Sequence, residues 1–418
     1  MIKQYFKQAL QMLKENPLVS VISILGTALS ISMILVLVLV FQIHTAGFSP
    51  ESNRNRMMYL LGTDAVAIVG GGTNRSSMSV EVAKECIYLL PSPEAVTVYT
   101  RRSKAISLPG RTMYKEYQIK YTDAGFWKVF DFRFLQGAPF TDSDFQSGIA
   151  RAVITEKVAR ELFGTGDVTG RTVLIDFTTY TLAGVVKDVS KVSEQACADV
   201  WIPYTTNPQL LTTRYHEGIS GPFAAILLAR TASDFETIRR ELTQRVDQYN
   251  AGKVDERLEF KTQPHTQLDI SMGTRPFRKV EMSDYLAKTG ALLLFLLLIP
   301  ALNLTGVIQS SVQKRSSEIG LRKAFGATRG ELMKQILYEN LVITLIGGVI
   351  GIGLAFLFLF AGRGFLFSYE AVFTVDMLFK PGLFAAALLL CLLLNVLSSG
   401  IPALQISRQQ IVNTLKEE

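Results

Sequence analysis

Motifs that carry chemistry are sparse in this chain. Its 418 residues include only three cysteines and three histidines. Cys86, Cys197 and Cys391 form no C-x-x-C pair, and Cys391 lies inside an apolar run, where a thiol packs as a small hydrophobe. Spacing alone neither joins Cys86 to Cys197 nor keeps them apart. His44, His216 and His265 are scattered without ligand spacing, which points away from a metal site. A phosphate-binding G-x-x-x-x-G-K-[ST] loop is missing. The nearest text, G-T-G-D-V-T-G-R-T from Gly164 to Thr172, misplaces its glycines and has Arg171 at the cation position. Gly70, Gly71 and Gly72 read as a flexible loop, and neither G-x-S-x-G nor H-E-x-x-H occurs. The formal charge is +7, yet no basic patch interleaved with aromatics stands out, so nucleic acid is not an expected partner. The expectation is a non-enzyme with no catalytic residue, no metal and no cofactor of its own. Any energy for work must then come from another polypeptide.

What is abundant is apolar sequence, 48% of the chain, gathered into four long runs. They cover 17–43, 286–312, 336–361 and 380–406, each long enough to span a bilayer as a helix. Ahead of the first, residues 1–16 place Ile2, Phe6, Ala9, Leu10 and Leu13 at helical spacing among lysines, the pattern of an amphipathic helix on an anionic inner leaflet. The first run is too long for a signal-peptide core and has no clear small-residue cleavage site. In it Gly26 and Ser30 stand four apart on one face, as do Ser23 and Thr27, and in the third run Gly347 and Gly351 form G-x-x-x-G; small residues at this spacing permit close helix packing. Pro300 is expected to kink the second run, because it cannot donate to the carbonyl one turn back. Asn303, Asn395, Ser398 and Ser399 are expected as interhelical polar contacts. The cations cluster in 1–14 and 314–334, while 362–379 holds Arg363 with Glu370 and Asp376. That asymmetry sets both termini and 313–335 in the cytoplasm and 44–285 and 362–379 outside it.

Residues 44–285 are polar and mixed in charge, too long and too patterned for a loop. A strand at Met57–Leu61, a helix at Ser79–Leu90 with Val82, Cys86 and Leu89 on one face, and a strand at Ala95–Thr100 come first. A strand at Phe223–Ala229, a helix to Tyr249 opened by a Ser233/Glu236 capping box, and a closing strand from Leu258 to Lys261 come last. The helix buries Phe235, Ile238, Leu242 and Val246. Two β-α-β halves suggest one split α+β subdomain. Between them, at about 110–208, lies a strand-rich insert. Tyr117, Ile119 and Tyr121 alternate in it, as do Val173, Ile175 and Phe177. One helix interrupts it, capped by Thr155 and ending at Gly164.

The densest stretch is S-S-E-I-G-L-R-K-A-F-G-A-T-R-G-E-L, Ser316 to Leu332, between the second and third runs. Gly320, Gly326 and Gly330 break it into short helical pieces. On its residues alone it reads either as a charged turn between spans or as a docking element for a cytoplasmic partner. The segment Glu318 to Asn340 resembles the signature of the FtsX/MacB family of ABC-transporter permeases. More loosely, the runs A-V-I-T-E-K-V-A-R-E-L-F-G, G-R-T-V-L-I-D-F and Y-T-L-A-G-V-V-K-D-V resemble that family's extracytoplasmic domain, built from a split part (porter) and an inserted part (sabre).

The resemblance implies a multi-pass permease of a bacterial inner membrane, with four helical spans and a large α+β extracytoplasmic domain. It implies that Glu318, Ile319, Gly320, Arg322, Lys323, Gly326 and Ala327 couple to a separate cytoplasmic ABC ATPase, which binds the ATP and Mg. Where the family's MacB members carry a fused ATPase ahead of the first span, the expectation here is of none. The further partners implied are a second permease subunit, identical or not, membrane lipids and, in the exporter reading, a periplasmic adaptor. Three functions follow from the family: export of a peptide, drug or lipid-linked molecule, release of lipoproteins, or FtsX-like control of an extracytoplasmic cell-wall enzyme. Topology is directly checkable. A reporter fused at Gly148 is expected to give an extracytoplasmic signal, and one fused after Gly330 or at Glu418 a cytoplasmic one. A cytoplasmic signal at Gly148 overturns the layout.

Overall fold

The computed structural model describes residues 17–111, 113–295 and 328–362, with a few isolated positions beyond. The expected amphipathic start at 1–16, the coupling residues up to Ala327, Pro300, Asn303 and most of the fourth apolar run lie outside the described residues. What is described divides into two compact units, Ile43–Met282 and a helical unit drawn from the apolar runs.

In the helical unit, α1 (Pro17–Thr45, its last three residues falling in the other unit) and α5 (Arg329–Ala361) contain stretches long and apolar enough to cross a membrane, Ser20–Thr45 and Leu341–Ala361. Ile343, Gly347, Gly351, Ala355 and Leu359 form a buried stripe at four-residue spacing on α5. A Cβ added at Gly347 would come 3.0 Å from the Thr27 Cγ2. One added at Gly351 would come 2.9 Å from the Ala28 carbonyl oxygen and 3.1 Å from the Ile31 Cβ. The two glycines thus let the backbones approach where a side chain would hold them apart. Ser30 lies beside this contact, its hydroxyl donating to the Gly26 carbonyl at 2.9 Å, and satisfies itself within its own helix.

In the other unit, fourteen strands fall into two sheets among the described residues. The larger begins with β1 (Met57–Leu60), β4 (Ala95–Ser107), β12 (Ala224–Leu228) and β14 (His265–Thr266), in the order β14-β1-β12-β4 with antiparallel neighbours. The helical segment Val80–Ile87, called α2, joins β1 to β4, and α4 (Phe235–Asn250) follows β12. This is the split β-α-β plan, with each half's first strand inside the other's. The sheet does not stop at β4. This 13-residue strand turns at 108–113 into β5 (Tyr114–Thr122) and continues through β10 (Val200–Pro203), β7 (Arg151–Thr155), β9 (Thr178–Val186) and β6 (Phe134–Gly137), with β8 (Thr172–Ile175) pairing β4 and β9. Strands on both sides of residue 110 are therefore the arms of one hairpin. The smaller sheet is β11 (Ser220–Gly221), β3 (Thr73–Met78), β2 (Thr63–Ala67) and β13 (Glu256–Glu259).

Both faces of the large sheet are covered, which is why β1 and β10 are buried at every position instead of alternating. Met58, Leu60, Val98, Ile119, Tyr121, Ile154 and Ile202 face α2, α4 and α3 (Glu156–Phe163). Met57, Tyr59, Tyr99, Val153 and Trp201 face an aromatic layer built from Phe126, Trp127, Phe130, Phe132 and Phe140.

The structure corrects four local expectations. Leu89 leaves the buried face and is 47% exposed, because Ala83–Ile87 widens into a π turn, closed by the Tyr88 N–H on the Ala83 carbonyl at 2.9 Å, and Leu90 takes the inward place. Phe177 is 97% exposed: Asp176 and Phe177, at φ 49° and 66°, are the two-residue turn joining β8 to β9. Ser233 does not cap α4; Thr231 and Asp234 make the capping box around a 3-10 turn that precedes it. Finally, the residues around Leu258 leave the large sheet to pair with β2, and β14 closes the split subdomain. The insert also holds short helices at Phe126–Val129 and Asp142–Gln146 besides the one expected, and a third, Pro208–Thr212, begins where it ends.

Substituting Ile at Gly351 is expected to force apart the two helices it lies between and cost about 1–3 kcal/mol, read as a lower unfolding temperature in detergent. An unchanged midpoint would mean that the close approach contributes nothing to stability.

Candidate functional site: the junction at the end of the first apolar helix

α1 stops at Thr45, and the carbonyls of a helix's last turn take partners from beyond the helical ladder. Ile43–Thr45 fall in the α+β unit, and side chains of that same unit reach them. The Arg54 Nη1 donates to the Ile43 carbonyl at 2.9 Å and to the Ala46 carbonyl at 3.1 Å. The Gln267 Nε2 donates to the His44 carbonyl at 2.6 Å, and its Oε1 accepts from the Tyr59 hydroxyl at 2.5 Å. A cation at a helix C-terminus also complements the negative end of the helix dipole. The turn that brings Arg54 back is tight: a Cβ at Gly47 would lie 2.2 Å from the Ser52 carbonyl oxygen.

The guanidinium reaches further. Its Nε donates to the Glu51 Oε2 at 2.7 Å, its Nη2 donates to the Val192 carbonyl at 3.0 Å, and it stacks 4.2 Å over the Phe48 ring. Glu51 spends its other oxygen on the same neighbouring segment. The Oε1 accepts from the backbone N–H of Gln195 at 3.0 Å and of Ala196 at 2.8 Å. Both side chains are 2% exposed. A charge pair so buried is tolerated only when every remaining donor and lone pair is met, and here nearly all are.

Segment 190–197 is thus the second half of the joint, and the sheet holds it from below. The Trp201 Nε1 donates to the Ala196 carbonyl at 3.2 Å, the Tyr99 hydroxyl donates to the Gln195 Oε1, and the Lys120 amine to the Gln195 carbonyl. A cleft of about 300 Å³ opens here, lined by His44, Glu51, Arg54, Gln195, Gln267 and Arg275 among others. Of its lining, Glu51, Arg54, Gln195 and Gln267 are engaged in the hydrogen bonds above, which hold the last residues of the helix in place.

None of these residues was singled out by the sequence pattern. The one signal available is E-S-N-R, two opposite charges three apart within ten residues of an apolar run. Of the residues that were singled out, Gly347 and Gly351 come together with Thr27, Ala28 and Ile31, whereas Glu318, Ile319, Gly320, Arg322, Lys323, Gly326 and Ala327 fall outside the described residues. Cys86 and Cys197 are both free thiols, and burial pushes that of Cys86 up to about 12. The Gly164–Thr172 run is a helix stop followed by a strand start, with Gly164 at φ 73°.

Comparison with known proteins gives two family matches. A MacB-like periplasmic core domain matches residues 20–245, more than half of the chain, and an FtsX-like permease C-terminal domain matches 290–411. The chain is 26% identical over 327 residues to the "Uncharacterized ABC transporter permease YknZ" of Bacillus subtilis (strain 168), covering 75% of each. It is 26% identical over 373 residues to the "Macrolide export ATP-binding/permease protein MacB" of Burkholderia cenocepacia (strain HI2424), covering 86% of this chain and 50% of that protein, so it spans about half the length of that relative. The crystal structure of the extracellular domain of YknZ from Gram-positive bacteria aligns with a TM-score of 0.34 at 16% identity, over 44% of this chain and 89% of that one.

Breaking the buried pair by Arg54→Met leaves Glu51 charged and unpaired and uncaps α1. The expected cost is about 3–5 kcal/mol in thermal unfolding of the full chain, with Arg54→Met/Glu51→Gln costing less than the two single changes added together. Additive costs would show that the two side chains do not act as a unit.

Proposed function

The chain belongs to the family of ABC-transporter permeases with a MacB-like periplasmic core domain and an FtsX-like permease domain, and from that premise we propose that it is the mechanical subunit of an exporter driven by a separate ATPase. In this reading it crosses a bacterial inner membrane four times with both termini in the cytoplasm. Two copies, or one copy and a similar chain, bind two cytoplasmic ATPases that hold ATP and Mg. Nucleotide-driven closure pushes on 316–327. The push travels along the spans and moves the α+β unit, which expels a peptide, drug or lipid-linked molecule already outside the cytoplasm, handing it to a periplasmic adaptor. Such transmission needs two discrete states whose balance nucleotide shifts.

The observation that supports this reading best is the joint at Arg54 and Glu51. A span that only anchored its domain could leave through a flexible linker. Here the last residues of α1 already belong to the α+β unit, where Arg54 ties the Ile43 carbonyl to segment 190–197, and this supports a direct hand-over of displacement to the sheet beneath. Export is favoured over a purely regulatory role by the resemblance to proteins whose names specify export.

The test is reconstitution with the partner ATPase. Glu318→Lys and Gly326→Val are expected to leave insertion and the unfolding of the α+β unit unchanged. They are expected to lower ATPase binding or permease-stimulated hydrolysis by about tenfold or more, as truncating one side of a desolvated charge pair does. If both variants bind and stimulate as the unmodified chain does, 316–327 is only a charged turn and the coupling role lies elsewhere.

A further inference from the structure

Lys120 is out of place by any pattern. It sits in β5 between Ile119 and Tyr121, and its side chain is on the opposite face to theirs, completely buried. Among the described residues its amine has one hydrogen-bond acceptor, the Gln195 carbonyl, and otherwise meets aromatic faces, Tyr99 at 4.8 Å and Phe126 at 5.6 Å. No carboxylate pairs with it among the described residues. Burying a lysine this way is costly, and a hydrophobe of the same length would fill the space. What distinguishes the site is its neighbour: the carbonyl it holds belongs to the residue whose backbone N–H is held by Glu51.

We propose that Lys120 is a proton-responsive positioning residue of the junction, its amine setting how firmly segment 190–197 is seated on the sheet and hence how firmly that segment grips the end of α1. The proposal rests on the reading of the junction as a mechanical joint and adds its regulation by external acidity.

The electrostatics fit. Burial lowers the amine's pKa from 10.5 to about 7, and the Arg101 charge on β4 acts in the same direction. Cys197 and Glu194 from the held segment, and Glu51 from the chain after α1, act the other way. When the segment lifts, the amine meets water and returns toward its ordinary basicity. The lifted state therefore binds a proton that the seated state lacks, at any pH between about 7 and 10.5. Seating is favoured as pH rises through that window, and the advantage is gone below about 7, where both states are protonated. Acid loosens the joint, and mild base tightens it.

Hydrogen exchange of the full chain in lipid nanodiscs reads this directly. Peptides covering 190–197 are followed from pH 6 to 9 and corrected for intrinsic exchange. In the unmodified protein their protection is expected to be flat below about pH 7 and to rise above it, up to about tenfold per pH unit, the slope of one linked proton. Lys120→Met removes the titration and keeps the volume, so protection becomes independent of pH and exceeds that of the unmodified chain at pH 6. Lys120→Arg, which stays charged, is expected to be flat and poorly protected throughout. Trp127 and Trp201, the chain's two tryptophans, lie in the adjoining aromatic layer, and their fluorescence reports whether each variant is folded. A flat profile in the unmodified protein overturns the proposal whether or not the variants fold, as does an unchanged slope in Lys120→Met. Neither result touches stimulation of the ATPase, so failure here is distinguishable from failure of the transmission reading.

Discussion

A charge taken out of water has to be answered atom by atom, and at Arg54 the answer organises the molecule. The guanidinium is rigid and forked, so its partners must come to it. They come from four places: the helix end at Ile43 and Ala46, Glu51 on the returning turn, Val192 on the far segment and the ring of Phe48. A hydrophobic contact of the same area would tolerate sliding, because it has no direction. Hydrogen bonds with fixed lengths and angles do not. That difference fixes residues 43–46 in one place against segment 190–197.

The large sheet lies beneath that contact. Its strands run without a break from β14 to β6, and the β4/β5 hairpin belongs equally to the split subdomain and to the insert. Segment 190–197 lies against this sheet through Trp201, Tyr99 and Lys120, which come from β10, β4 and β5. The segment is therefore held by three consecutive strands and not by one side chain.

Much of this was legible from sequence, and the failures have local causes. Period-2 and period-3.6 patterns located β1, β4, β5, β8, β12 and β13 and the helices α2, α3 and α4, because burial enforces them. Leu89 was misplaced because a π turn adds a residue that periodicity cannot see, and Phe177 because Asp-Phe is an unusual pair for a turn with two positive φ angles. Ser233 yielded its cap to Thr231, two residues upstream, since a 3-10 turn can precede a helix without altering its apolar stripe. The joint escaped for a deeper reason. Arg54, Glu51 and Lys120 look like surface charges in sequence, and only the fold reveals that Val192 and Gln195, far along the chain, have closed over them.

The β4 strand has a consequence for how sequences of this kind can vary in length. Its register is fixed along its length by β12, β5 and β8. One residue gained or lost between Ala95 and Ser107 would turn every later side chain to the wrong face against all of those partners beyond that point. Insertions and deletions have somewhere else to go: the tips at 69–72 and 109–111, where the chain turns at the surface. Drift in chain length is thereby confined to the rim, and the central strand behaves as a ruler of constant length.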